Sequence, residues 1–210
     1  MLSGAFGRNV AEMGGGVAAT VDEVDLLRSR QYDLLATLLG RVPCGRVLGQ
    51  ISGLDGDATP LGQALGRLGA AAREAEPAVL ERDHFETFIG VGRGRLLPYA
   101  SYYLTGFLNE RPLARVRADF DALGIERSDA VSEPEDHVAI LLEVMAALAS
   151  GRVEAEPGVE ARFFAQHLQP WAGRFFADLE READTDFYRA VGALGQIFLE
   201  IEAEAFALDT

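Results

Sequence analysis

The stretch Ser132-Glu133-Pro134-Glu135-Asp136-His137-Val138-Ala139-Ile140-Leu141-Leu142-Glu143-Val144-Met145-Ala146-Ala147-Leu148-Ala149-Ser150-Gly151 carries the signals that decide the fold. Ser132 followed three residues later by Glu135 is a capping box, in which the hydroxyl accepts from an early helical amide and the carboxylate reaches back. Pro is tolerated in a first helical turn, and carboxylates there favour the positive end of the helix dipole. Behind them Val138, Leu141, Leu142, Met145 and Leu148 recur at helical spacing, and Gly151 is a natural stop. The pattern predicts a helix that starts in the acidic string and ends at Gly151.

The same punctuation recurs on both sides of this stretch. Thr20-Val21-Asp22-Glu23 reads as a second capping box, followed by Val24, Leu27, Leu34, Leu35, Leu38 and Leu39 up to Gly40. Thr59-Pro60 is a cap with proline at the first helical position, and Pro77 and Pro112 open further helices that stop at Gly90 and Gly124. The C-terminal part is rich in Phe, and Asp184 or Asp186 is expected to cap a last helix ending near Leu208. No segment shows the clean period-two alternation of a strand. The fold expected is all-α, one compact domain of about eight to ten helices over residues 21–210. Its two helical halves join at a hinge near 124–132, and residues 1–20 form a mobile tail.

Composition narrows the function. The chain has 33 acidic and 19 basic residues, a net charge of −14, and every basic residue is Arg. Without Lys there is no Schiff-base amine, phosphate-loop lysine or lysine general base. The acidic balance disfavours nucleic acid and anionic membrane surfaces and suits a basic partner. With 49% hydrophobic residues a packed core is expected. The lone Cys44 cannot form an internal disulfide, which fits a reducing compartment. No apolar run reaches the roughly 18 residues of a membrane helix. Glu12 and the Gly14–Gly16 run make the start a poor signal peptide. A cytoplasmic protein without stable membrane insertion is expected.

Four features bear on chemistry. Gly90-Val91-Gly92-Arg93-Gly94-Arg95 has the glycines of an anion cradle, but no Lys-Ser or Lys-Thr follows and no strand precedes it, so it reads as a structural or peptide-contacting loop. His84, His137 and His167 are isolated from one another, and no metal site is expected. Glu133, Glu135, Asp136 and His137 form an acidic face with a titratable neighbour, suited to a guanidinium. Asp136 and His137 also resemble a base dyad, but the small hydrolase this would imply lacks a nucleophile elbow, with only Ser101 and Tyr99 as candidates. Leu97, Pro98, Tyr99, Ser101 and Tyr102, together with Phe88, would form the wall of a peptide groove, since tyrosine offers contact area and a hydroxyl at low entropy cost.

Taken together, Glu81-Arg82-Asp83-His84-Phe85-Glu86-Thr87-Phe88-Ile89-Gly90, Pro98-Tyr99-Ala100-Ser101 and Glu133-Pro134-Glu135-Asp136-His137 resemble the TorD/DmsD/NarJ-type chaperones of molybdoenzyme maturation. His167-Leu168-Gln169-Pro170-Trp171 and Asp186-Phe187-Tyr188 extend the likeness, which covers roughly residues 77–205. The resemblance implies an all-helical, non-enzymatic cytoplasmic chaperone. Its partner would be the twin-arginine leader or apo form of a molybdenum or tungsten oxidoreductase catalytic subunit, held until the cofactor is inserted. It places client contacts on Pro98, Tyr99, Ser101, Glu133, Asp136 and His137, to which the groove reading adds Phe88, Tyr102 and Glu135. The expected hinge gives a monomer or domain-swapped dimer, and the resemblance implies no cofactor beyond weak binding of guanine nucleotide in some relatives. Members specialised for dimethyl sulfoxide reductase often carry Trp where Tyr99 stands. The alternative is an acidic helical adaptor or regulator that binds another basic protein segment.

Overall fold

Apolar residues at helical spacing, broken by Gly and Pro, produce ten α-helices among the described residues of the computed structural model, which are 22–126 and 132–208. They are α1 Glu23–Gly40, α2 Gly45–Ile51, α3 Pro60–Arg73, α4 Pro77–His84, α5 Ala100–Thr105, α6 Arg111–Ala122, α7 Val138–Ala149, α8 Val159–His167, α9 Ala172–Glu182 and α10 Asp186–Leu208. A π-helical turn, Phe85–Ile89, continues α4. The only β feature among the described residues is an isolated antiparallel bridge between Tyr99 and His137. The tail expected over residues 1–20 and the centre of the expected hinge, 127–131, lie outside the described residues.

The capping of α3 follows the sequence rule: the Thr59 side chain accepts from the Gly62 amide, with Pro60 opening the helix. Three other starts differ from expectation. Helix α1 is capped by Asp22, whose carboxylate accepts from the Asp25 amide at 2.8 Å. The last helix is entered through Thr185, whose hydroxyl accepts from the Tyr188 amide at 3.3 Å, so neither Asp184 nor Asp186 caps it. Helix α7 starts at Val138, and His137 is its N-cap, Nδ1 accepting from the Ala139 amide at 3.1 Å. Ser132 and Glu135 do not cap α7, because the backbone of the acidic string is committed to a neighbouring segment. The Val138 amide donates to the Pro98 carbonyl at 2.8 Å, and the Ala100 amide donates to the Asp136 carbonyl at 3.0 Å.

Helix α7 is apolar on nearly every face, which places it inside the molecule. Leu141, Leu142, Val144 and Met145 are fully buried. It packs most extensively on α1, while α10 packs on α9 and α3. Close approach of α9 to α10 is set by glycine: a Cβ on Gly192 would lie 2.5 Å from the Glu180 nitrogen. Trp171, Phe175, Phe176, Tyr188 and Phe198 complete one continuous core, each large side chain contributing roughly 1.5–3 kcal/mol by burial. A half-buried ion cluster around the buried Glu202 joins α1 to α8 and α10. Arg28 donates to Glu202 at 2.8 and 2.7 Å and to Glu160 at 2.6 Å, and the Tyr32 hydroxyl donates to Glu202 at 2.7 Å. No helix among the described residues is long and apolar enough to cross a membrane.

Candidate functional site

Two segments build the site. The first is the π-turn and the glycine loop after it; π-helical turns are rare and frequent at functional sites. Gly90 has φ 62°, and a Cβ there would lie 2.1 Å from the Arg93 carbonyl oxygen, so the chain turns back only with glycine. The returning strand of chain is held by the Arg95 amide donating to the Glu86 carbonyl (3.1 Å) and the Leu96 amide to Thr87 (2.8 Å). Beneath it sits Asp83, almost fully buried. Its carboxylate accepts from the Thr87 hydroxyl (2.9 Å), Arg95 (3.1 Å), the Thr185 amide (2.8 Å) and the Thr185 hydroxyl (2.6 Å). This fixes Phe88, whose ring packs on His84 at 5.1 Å and Tyr188 at 5.8 Å.

The second segment is the crossing of Pro98–Ser101 with the acidic string. The Asp136 carboxylate, 1% exposed, accepts from the Ser101 amide at 2.8 Å. The Tyr99 ring stands edge-on to His137 with centroids 5.2 Å apart. Burial pushes His137 down to about 4, so the imidazole is neutral and its Nδ1 is free to accept at the head of α7. The Tyr99 hydroxyl donates to Glu133 Oε2 at 2.5 Å. Burial, and then the Glu133 carboxylate, hold that hydroxyl well above the usual tyrosine range, so it stays protonated.

Between the two segments lies a concavity of about 550 Å³. Phe88, Ile89, Leu97 and Tyr102 line it with Phe107 and Leu108 from the α5–α6 turn, and Tyr99, Glu133 and Arg93 supply polar groups. Ile89 and Phe107 are 55% and 70% exposed, large values for apolar side chains on one groove. A second concavity shares Leu97, Tyr102 and Gly106 with it, but its arginines are already engaged: Arg95 with Asp184, Arg181 with Asp178, and Arg174 with the Tyr103 carbonyl and ring.

The structure therefore sorts the residues singled out in the sequence. It brings Asp136 and His137 against Pro98–Ser101. Phe88, Tyr99, Tyr102 and Glu133 line the groove. Pro98, Ser101, Asp136 and His137 are buried behind it and hold its geometry. Glu135 is turned away from it and accepts from Arg117 at 2.9 and 3.1 Å, a guanidinium supplied by the chain itself. The base dyad is not formed: Asp136 is spent on the Ser101 amide, His137 on the Ala139 amide, and the Ser101 hydroxyl accepts from the Glu110 amide at 3.3 Å. Among the described residues no group of three or more His, Cys, Asp or Glu could hold a metal ion. Ile89, Phe107 and Leu108 were not legible as site residues. The one signal was a pair of large apolar residues in a turn between Gly106 and Asn109, where both flanking residues have positive φ.

Comparison with known proteins identifies the family. A family described as nitrate reductase delta subunit matches residues 54–177, more than half of the chain and all of the groove. The chaperone protein TorD of Vibrio cholerae serotype O1 is 28% identical over 189 residues, covering 86% of this chain and 82% of the relative. TorD of Aliivibrio salmonicida is 33% identical over 146 residues, covering 64% and 67%. A solved structure from Archaeoglobus fulgidus, described as a redox enzyme maturation protein, covers 92% of this chain and 99% of its own at a TM-score of 0.59 and 17% identity, a likeness of fold. The protein belongs to the TorD-type family of molybdoenzyme maturation chaperones, and is a chaperone rather than an enzyme.

Proposed function

We propose that the groove binds the twin-arginine leader of an apo-molybdoenzyme catalytic subunit in the cytoplasm and holds the subunit back until its cofactor is inserted. The observation that supports this is a groove with both complements of such a leader. Phe88, Ile89, Leu97, Tyr102, Phe107 and Leu108 match an apolar helix laid in a groove. Glu133, exposed on the same groove, matches an arginine ahead of it. The net charge of −14 draws a basic segment in and acts on the encounter rate more than on affinity.

A labelled leader peptide titrated by fluorescence anisotropy tests the reading. Phe107→Ser is expected to weaken binding through lost apolar contact. Glu133→Gln is expected to weaken it by about 1 kcal/mol, the size of a charge-assisted contact at a wet rim. Affinity unchanged in both variants refutes the assignment of this groove. Recovery from native cytosol of a basic protein unrelated to molybdenum or tungsten enzymes would favour the adaptor reading instead.

A further inference from the structure

Phe107 and Leu108 line the groove from the α5–α6 turn, yet Phe107 is 70% exposed, so side-chain packing does not fix where it stands. Its position is left to the backbone. Gly106 and Asn109, with φ of 83° and 60°, bend the chain out and back. Both ends of the turn are then held on one residue, Ser101. At the start, the Thr105 hydroxyl donates to the Ser101 carbonyl at 2.8 Å and accepts from the Phe107 amide at 3.2 Å. At the end, the Glu110 amide donates to the Ser101 hydroxyl at 3.3 Å, and Glu110, the N-cap of α6, makes no side-chain capping bond of its own. Ser101 is fully buried, and its amide is fixed on Asp136 at 2.8 Å. One residue thus ties the apolar turn to the acidic string that carries Glu133.

We infer that Ser101, acting with Thr105, is a positioning residue for client binding: the pair clasps the 106–110 turn so that Phe107 and Leu108 stand ready at the groove before a ligand arrives. Neither Ser101 nor Thr105 lines the groove itself. A wall ordered in advance spares the ligand the entropy of ordering it, which for an exposed aromatic side chain amounts to about three- to tenfold in affinity. The inference deepens the proposed function and rests on it for the identity of the ligand.

The test is a thermodynamic cycle on the full chain with the labelled leader peptide, combining Ser101→Ala or Thr105→Val with Phe107→Ser. Each clasp variant is expected to weaken binding about fivefold while the Phe107 ring is present, and by less than about twofold in the Phe107→Ser background. A general loss of stability would weaken binding equally with or without that ring. That outcome, or unchanged affinity in Thr105→Val, overturns the inference. Thr105 is exposed, so Thr105→Val decides the matter even if Ser101→Ala fails to fold. If no leader binds the wild type, the leader reading falls, and amide hydrogen exchange decides the clasp. Faster exchange at Glu110 in Ser101→Ala and at Phe107 in Thr105→Val supports it, and unchanged exchange overturns it.

Discussion

Asp136 distinguishes a residue that would touch the proposed client from one that only builds the groove. Its carboxylate is 1% exposed and accepts from the amide of Ser101, itself fully buried, at 2.8 Å. Asp136→Ala leaves that amide without a partner, and a buried donor without an acceptor costs about 1–3 kcal/mol. Removing a buried charge offsets part of this, so a net loss of about 2 kcal/mol is expected. In a chain of this length that corresponds to a fall in Tm of roughly 4–8 °C. Asp136→Asn keeps an acceptor oxygen in the same volume and should lose less than half as much. The assay pairs calorimetric melting with leader-peptide anisotropy on both variants. A positioning role predicts that affinity and stability fall together in Asp136→Ala and recover together in Asp136→Asn. If Asp136→Ala melts within about 1 °C of wild type yet loses the peptide, the carboxylate meets the ligand itself and the geometry argued above is wrong.

Acid should destabilise the protein through its histidines. Burial pushes His84, His137 and His167 below the ordinary imidazole value, His137 from 6.5 to about 4. Between those limits the unfolded chain binds a proton that folded His137 refuses, so its contribution is intact above pH 6.5 and is lost as pH falls towards 4, on the order of 3 kcal/mol in all. Glu143 and Glu160, raised by burial, act in the opposite sense. The difference in urea midpoints between wild type and His137→Asn, which keeps an N-cap acceptor, isolates the imidazole; parallel pH profiles would refute the claim. Glu202→Ala leaves the buried Tyr32 hydroxyl without its acceptor while Arg28 keeps Glu160 and Asp25, and is expected to cost about 1–3 kcal/mol in denaturant unfolding. Gly192→Ala places a methyl group 2.5 Å from the Glu180 backbone nitrogen, and the forced separation of α9 from α10 should cost about 1–3 kcal/mol. A variant as stable as wild type would show that the two helices have room to part.

Much of the fold was legible in the chain. Apolar residues at helical spacing, the Thr59-Pro60 cap and the glycine stops specify helices through contacts within one or two turns, and those contacts are written in neighbouring residues. The family was legible for a similar reason: three short motifs in fixed order identify it, and two of them, 81–90 and 133–137, contain the buried hubs Asp83 and Asp136. Local rules failed where a distant segment competed for the same backbone groups. Ser132 and Glu135 have the form of a cap, yet α7 begins at Val138, because the amide there is taken by Pro98 and the carbonyl of Asp136 by Ala100. The acidic string likewise reads as three equivalent carboxylate ligands for a guanidinium, with His137 as a titratable neighbour. Tertiary structure gives them different partners: Arg117 for Glu135, the Ser101 amide for Asp136, α7 for His137, and the open groove, beside Tyr99, for Glu133. Which of several like charges faces solvent depends on what packs behind each one, and that is a property of segments about 18 to 35 residues apart meeting in space.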